Sequence, residues 1–171
     1  QAPSFPWFWG MLHFDDGSYL DWFMPHTTPG MTSMDDKPWR LRDFLRNPAI
    51  GTGIFHDANR GRTENFKRCE VEVSEPDDEE PLRDEQGNVL PKFRIRIWNG
   101  RTQISIDVRA CSRARWTFDQ PTRAGMVSHL TYNEYPLEVE RIAILDEQGL
   151  RTIDDYEWIM GNAEHTWGIL H

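Results

Sequence analysis

"KFRIRIWNGRTQISIDVRA", Lys92–Ala110, decides the fold class. Phe93, Ile95 and Ile97 alternate with Arg94, Arg96 and Trp98. Beyond Asn99-Gly100, Ile104, Ile106 and Val108 alternate with Ser105, Asp107 and Arg109. A period of two is the signature of a strand, because successive side chains point to opposite faces. Asn-Gly between two such runs predicts a two-residue hairpin turn with positive φ at both positions. One face of this ribbon is apolar and the other charged, so it packs on a core from one side only.

The same pattern extends outward in both directions. "PWFWGMLHF" and "SYLDWFM" flank Asp15-Asp16-Gly17 and read as strand, turn, strand. "LEVERIAIL", "DEQG" and "LRTIDDYEWIMG" form a third pair between Leu137 and Gly161. Many short alternating strands joined by tight turns predict an all-β, antiparallel, lipocalin-like barrel or sandwich. Closing the sheet removes its exposed edges, and such an interior can hold a small apolar ligand. "DKPWRLRDFLRNP", Asp36–Pro48, is the single helical candidate, with Trp39, Leu41, Phe44 and Leu45 on one side and Pro48 as a stop. Residues 74–88, "SEPDDEEPLRDEQGN", are acidic and carry two prolines, which predicts a solvated surface loop. No composition shift divides residues 1–171, so one domain is expected.

Composition excludes several functions. The chain has 171 residues, a formal charge of −9 and 19 Lys and Arg with no basic run, which argues against a nucleic-acid groove. No apolar run approaches the length of a membrane-spanning helix, and no signal peptide is visible. The 8 tryptophans fit a sheet-built core. Cys69 and Cys111 form no CxxC pair and no disulfide framework, which fits unpaired thiols in a reducing, cytoplasmic setting. Cys111 lies in a strand-like run and reads as a small core residue. His13 beside Asp15 and Asp16, and His56 beside Asp57, match no metal-ligand spacing, so no metal is assigned. "GTGIFHDANRGR" lacks the ending of a phosphate loop, and no nucleophile elbow is present.

Three segments carry a resemblance. "FPWFWGMLHFDDGSYLDWFM", Phe5–Met24, resembles the opening strands of the C-terminal half of the AttH-like proteins, a group that includes carotenoid 1,2-hydratase (hydroxyneurosporene synthase). "GNAEHTWG", Gly161–Gly168, resembles the group's closing strand, and "YNEYPLEVERIAI" stands where the group has a Tyr-Pro followed by a strand. The resemblance implies a lipocalin-like fold in which two barrels pack side by side around a hydrophobic pocket. It implies a hydratase, isomerase or cyclase acting on a hydrophobic, isoprenoid-like substrate without a cofactor. The chain has the length of one barrel, so a second barrel domain or a homo-oligomer is the expected partner, besides a small hydrophobic ligand.

Candidate residues follow from both readings. Glu164 and His165 are neighbours on a strand, so only one of them faces inward. A carboxylic acid in an apolar, Trp-lined pocket can protonate an alkene, and Glu164 is either that acid or a structural acceptor closing the barrel. Tyr132 and Glu134 share a face and form a possible acid/base pair, with His129 on the other face. Alternatively "YNEYP" is a barrel corner, with Tyr132 packed at the rim. Trp7 and Trp9 share a face, and with Trp22, His165 and Trp167 they are expected to wall the pocket. The competing function is a non-catalytic module that binds a small apolar ligand.

Overall fold

The computed structural model describes residues 7–25, 51–74, 76, 78–121, 125 and 127–170. The helical candidate Asp36–Pro48 lies outside the described residues. The chain forms β1 (Trp7–Phe14), β2 (Tyr19–Pro25), β3 (Thr52–Asp57), β4 (Arg62–Phe66), β5 (Cys69–Ser74), β6 (Lys92–Trp98) and β7 (Gln103–Ala110), of which β1, β2, β6 and β7 match the predicted hairpins and β3, β4 and β5 were not predicted. They are followed by β8 (Ala114–Pro121), β9 (Val127–Asp146), β10 (Gly149–Thr152) and β11 (Ile159–Leu170). The order across the sheet is β4-β3-β2-β1-β11-β9-β7-β6-β5, and every neighbour is antiparallel. The first and last strands pair, with Trp9 opposite Glu164. The result is an all-β, nearly closed barrel, as the alternation predicts.

The two end strands, β4 and β5, are joined by Lys67 and Arg68 alone. Side chains stitch the remaining gap. Glu64 on β4 accepts hydrogen bonds from Asn99 Nδ2 (3.1 Å) and the Thr102 hydroxyl (2.9 Å) in the β6–β7 turn. Gly53 on β3 sits so close to Ile97 that a Cβ there would meet it at 2.8 Å. The apolar halves of the alternating strands fill the interior: Phe8, Leu12, Trp22, Phe55, Val71, Ile95, Ile106 and Ile144 are all buried. A bulge between Asp107 and Val108 leaves Glu140 unpaired on β9. It switches the inward set of β9 from Tyr135 and Leu137 to Ile142 and Ile144.

Four expectations need correction. The Asn99-Gly100 turn is not a two-residue turn, because the strands stop at Trp98 and Gln103. No positive φ occurs at either position. Instead Asn99 Oδ1 accepts from the Arg101 and Thr102 amides, each at 2.8 Å, in a four-residue loop. Asn99→Ala is therefore expected to cost about 1–2 kcal/mol, in the range of a lost side-chain cap. Gly100→Ala should be close to neutral, since nothing lies within reach of a Cβ there. Denaturant midpoints of the two variants check this.

Cys111 is exposed rather than a core residue, because the chain breaks between β7 and β8 at residues 111–113; Cys69 is the buried thiol. "YNEYP" is not a corner: Tyr132–Pro136 lies inside the 20-residue strand β9. Pro136 is tolerated because β8 pairs with β9 only up to Glu134 and β7 only from Leu137. The acidic loop is not wholly solvated. Asp84 is buried against Arg113 at 2.7 Å and accepts the amides of Gln86 and Asn88, each at 2.9 Å. One carboxylate of the acidic run thereby anchors the loop to the break between β7 and β8.

Candidate functional site

Before the bulge, the even residues Tyr132–Glu138 of β9 share the outer face of the barrel with the even residues Met160–Glu164 of β11 and the odd residues of β1. Cross-strand register brings Glu134 opposite Glu164, Glu164 opposite Trp9, and Tyr132 opposite both Thr166 and Trp116. Side chains directly opposite in an antiparallel pair have Cβ atoms about 4.5–5.5 Å apart. The indole Nε1–H of Trp7 donates to Glu164 Oε2 at 3.2 Å. Asn162 Nδ2 donates to Glu134 Oε1 at 2.8 Å. The Tyr132 hydroxyl interacts with both carboxylates, more strongly with Glu164. Desolvation by burial, then the Glu164 and Glu134 carboxylates, hold the Tyr132 pKa well above the ordinary phenol value. Tyr132 is therefore a neutral hydroxyl at any working pH, a donor and relay rather than a base.

Trp7, Asn162 and Tyr132 are the described donors to Glu134 and Glu164, and each is neutral. Like charges directly opposite repel, so this pair is kept at a cost in stability. Aromatic rings border it. Trp7 and Trp9 are half-buried, Phe23 lies opposite Trp9 and is partly exposed, and Trp116 is 69% exposed. The arrangement offers two acid/base carboxylates, a phenol between them and a flat apolar floor.

The structure thus brings together Glu164, Tyr132, Glu134, Trp7 and Trp9, but on the outer face. The expectation that Trp7 and Trp9 wall the interior is corrected: Phe8, Gly10, Leu12 and Phe14 face inward on β1. Gly10 fixes this choice, because the Trp22 ring lies where its Cβ would be, 2.1 Å away. Trp22 is a core residue beneath that glycine, not part of the same wall as Trp7 and Trp9. His165 faces inward, opposite to Glu164, and its ring stacks on Phe8 at 4.1 Å. Phe8 meets Phe93 at 5.9 Å, and Phe93 meets Tyr135 at 5.6 Å. Rings therefore occupy the interior beside the β1–β11 seam.

His129 and Trp167 lie in the β9–β11 ladder, opposite Ile169 and Thr131, and their side chains lie outside the described part of the structure. His13 is exposed on the outer face, and His56 stacks on Tyr19 and hydrogen-bonds Thr63. Among the described residues no three His, Cys, Asp or Glu side chains gather to hold a metal ion. No described helix is long and apolar enough to cross a membrane.

Sequence reasoning missed Asn162 and Trp116. Trp116 had a signal, the alternating "ARWTFDQP", whereas Asn162 matters only through its register opposite Pro136. No protein-family model, curated protein or solved structure matches the chain.

Proposed function

We propose that the outer face of β1, β11 and β9 is an acid/base site for a hydrophobic, isoprenoid-like alkene, acting as a hydratase, isomerase or cyclase without a cofactor. The observation that carries this reading is the pair Glu134–Glu164, bridged by Tyr132 and bordered by Trp7 and Trp9. In the reaction, Glu164 in its acid form gives its proton to one alkene carbon. The π electrons form the new C–H bond and leave a carbocation beside the carboxylates and indole faces, which favour a cation. Either water adds and loses a proton to the Glu134 carboxylate, or Glu134 removes a neighbouring C–H proton. The first outcome hydrates the alkene and the second shifts its double bond. Tyr132 returns the proton from one glutamate to the other.

The resemblance of three segments to the AttH-like group supports the substrate class. The open side of the site favours cover by a second barrel domain or a second copy, which would exclude water. The alternative, a binding module for an apolar ligand, is favoured by the exposure of Trp116 and Phe23.

The test uses squalene in detergent micelles made up in D2O. Deuterium incorporation above the buffer rate, read by mass spectrometry, is the expected result. Saturable quenching of tryptophan fluorescence without any deuterium uptake would favour the binding module instead. Neither quenching nor exchange would remove both readings.

A further inference from the structure

β8 hydrogen-bonds to β9 along one side, and among the described residues no strand pairs with its other side. Such an edge can template pairing with another chain, and proteins usually blunt it. Here the middle of the strand carries Trp116 at 69% exposure, its ring 5.8 Å from Phe118. The sequence around Thr117 is also self-complementary: Arg115 and Trp116 precede it, and Phe118 and Asp119 follow.

We infer that two copies of this chain pair β8 to β8 in antiparallel fashion about a two-fold axis at Thr117. That register sets Arg115 of each copy opposite Asp119 of the other, and Trp116 opposite Phe118. A shift to Phe118 as the centre loses the charge match, and a shift to Trp116 sets Asp119 opposite Arg113, which precedes β8 and is buried against Asp84, so charge selects the register. The contact is isologous, and each cross-strand pair occurs twice. It joins β11, β9 and β8 of both copies into one sheet. Trp116 is opposite Tyr132 on the outer face, so the other copy's Phe118 would extend the aromatic floor beside the two glutamates. The inference stands on the edge and its symmetry, independently of any catalysis. Arg115 and Asp119 each also make an interaction within their own chain, which the pairing does not exclude.

Sedimentation equilibrium of the purified chain is expected to show a monomer–dimer equilibrium. Arg115→Asp alone and Asp119→Arg alone should each weaken it by about tenfold or more, because both now place like charges opposite. An equimolar mixture of the two variants should recover the dimer, since each copy then faces the opposite sign. A chain that stays monomeric at submillimolar concentration overturns the proposal, as does a dimer that neither reversal weakens. So does a pair of folded single variants that fail to associate when mixed. If either reversal prevents folding, as judged by near-ultraviolet circular dichroism, Trp116→Ser decides instead. Its exposed site leaves the fold intact, and an unchanged dimer constant there also overturns the pairing.

Discussion

Glu164→Gln is expected to lower deuterium transfer into squalene by about 100-fold or more, the range of a lost general acid. Glutamine keeps the size of the side chain and still accepts from the Trp7 indole, so the link between β1 and β11 survives. What it loses is the proton. Fluorescence quenching by the same alkene should therefore persist, and the melting temperature should stay level or rise, because one of two facing carboxylates has been neutralised. Glu134→Gln is the companion variant. It should leave the first protonation possible but remove the base that takes the final proton, so hydration and the double-bond shift both fall. A Glu164→Gln protein that exchanges at the wild-type rate would assign the acid to another residue. One that melts far lower would make Glu164 a structural acceptor, the alternative its sequence context also allowed.

The second large effect is on stability. Asp57, Arg60, Asp146 and Arg151 form a closed ring at the barrel end where the β3–β4 and β9–β10 turns meet. Arg60 contacts Asp57 at 3.4 Å and Asp146 at 2.6 Å; Arg151 contacts Asp57 at 2.9 Å and Asp146 at 3.2 Å. Both carboxylates are only 5% exposed, and Arg151 also lies over the Phe55 ring at 5.5 Å. Arg151→Met leaves two buried carboxylates sharing one guanidinium. The expected cost is about 2–4 kcal/mol, below the full value for a buried pair because the arginines are partly wet. For a domain of this size that is roughly a 5–15 °C fall in melting temperature. Glu147→Gln is the control. Glu147 is 67% exposed and pairs with a half-exposed Arg62 that keeps Glu64 as a second partner at 3.3 Å, so its loss should fall within about 0.5 kcal/mol. Equal losses from the two variants would contradict the ring's role.

The ring also gives the stability a pH dependence. Burial would raise the Asp146 pKa, but the Gln148 amide and the Arg60 and Arg151 guanidiniums outweigh it and hold the carboxyl below its usual value. A depressed folded-state pKa contributes stability that is complete above the unfolded value, about 3.9. It is lost as the pH falls through the folded-state pKa. Asp84 and Asp107 are shifted in the same direction and add to the effect. Wild-type melting temperature should therefore fall steeply below pH about 4, and Arg151→Met should show a shallower fall.

The strands of the first hairpin and of Lys92–Ala110 were legible in the sequence because alternation of apolar and polar residues fixes both strand identity and facing wherever the two faces differ. Lys92–Ala110 is the clear example: its arginines could not be buried, so its isoleucines had to be. The nearness of Glu164 to Trp9 was legible too, once closure of the sheet was expected. In "WFWGMLHF" the two faces are both apolar, so alternation could not say whether Trp7 and Trp9 or Phe8, Leu12 and Phe14 turn inward. Packing decided it: only the face with Gly10 leaves room for the Trp22 ring across the strand pair. The Asn99 turn was set by the Asn99 side chain capping the Arg101 and Thr102 amides and, at a distance, by Glu64, rather than by a positive φ at the Asn-Gly dipeptide. The ring of Asp57, Arg60, Asp146 and Arg151 left no local mark, since its two halves lie 86 residues apart in the chain and meet only when the barrel closes.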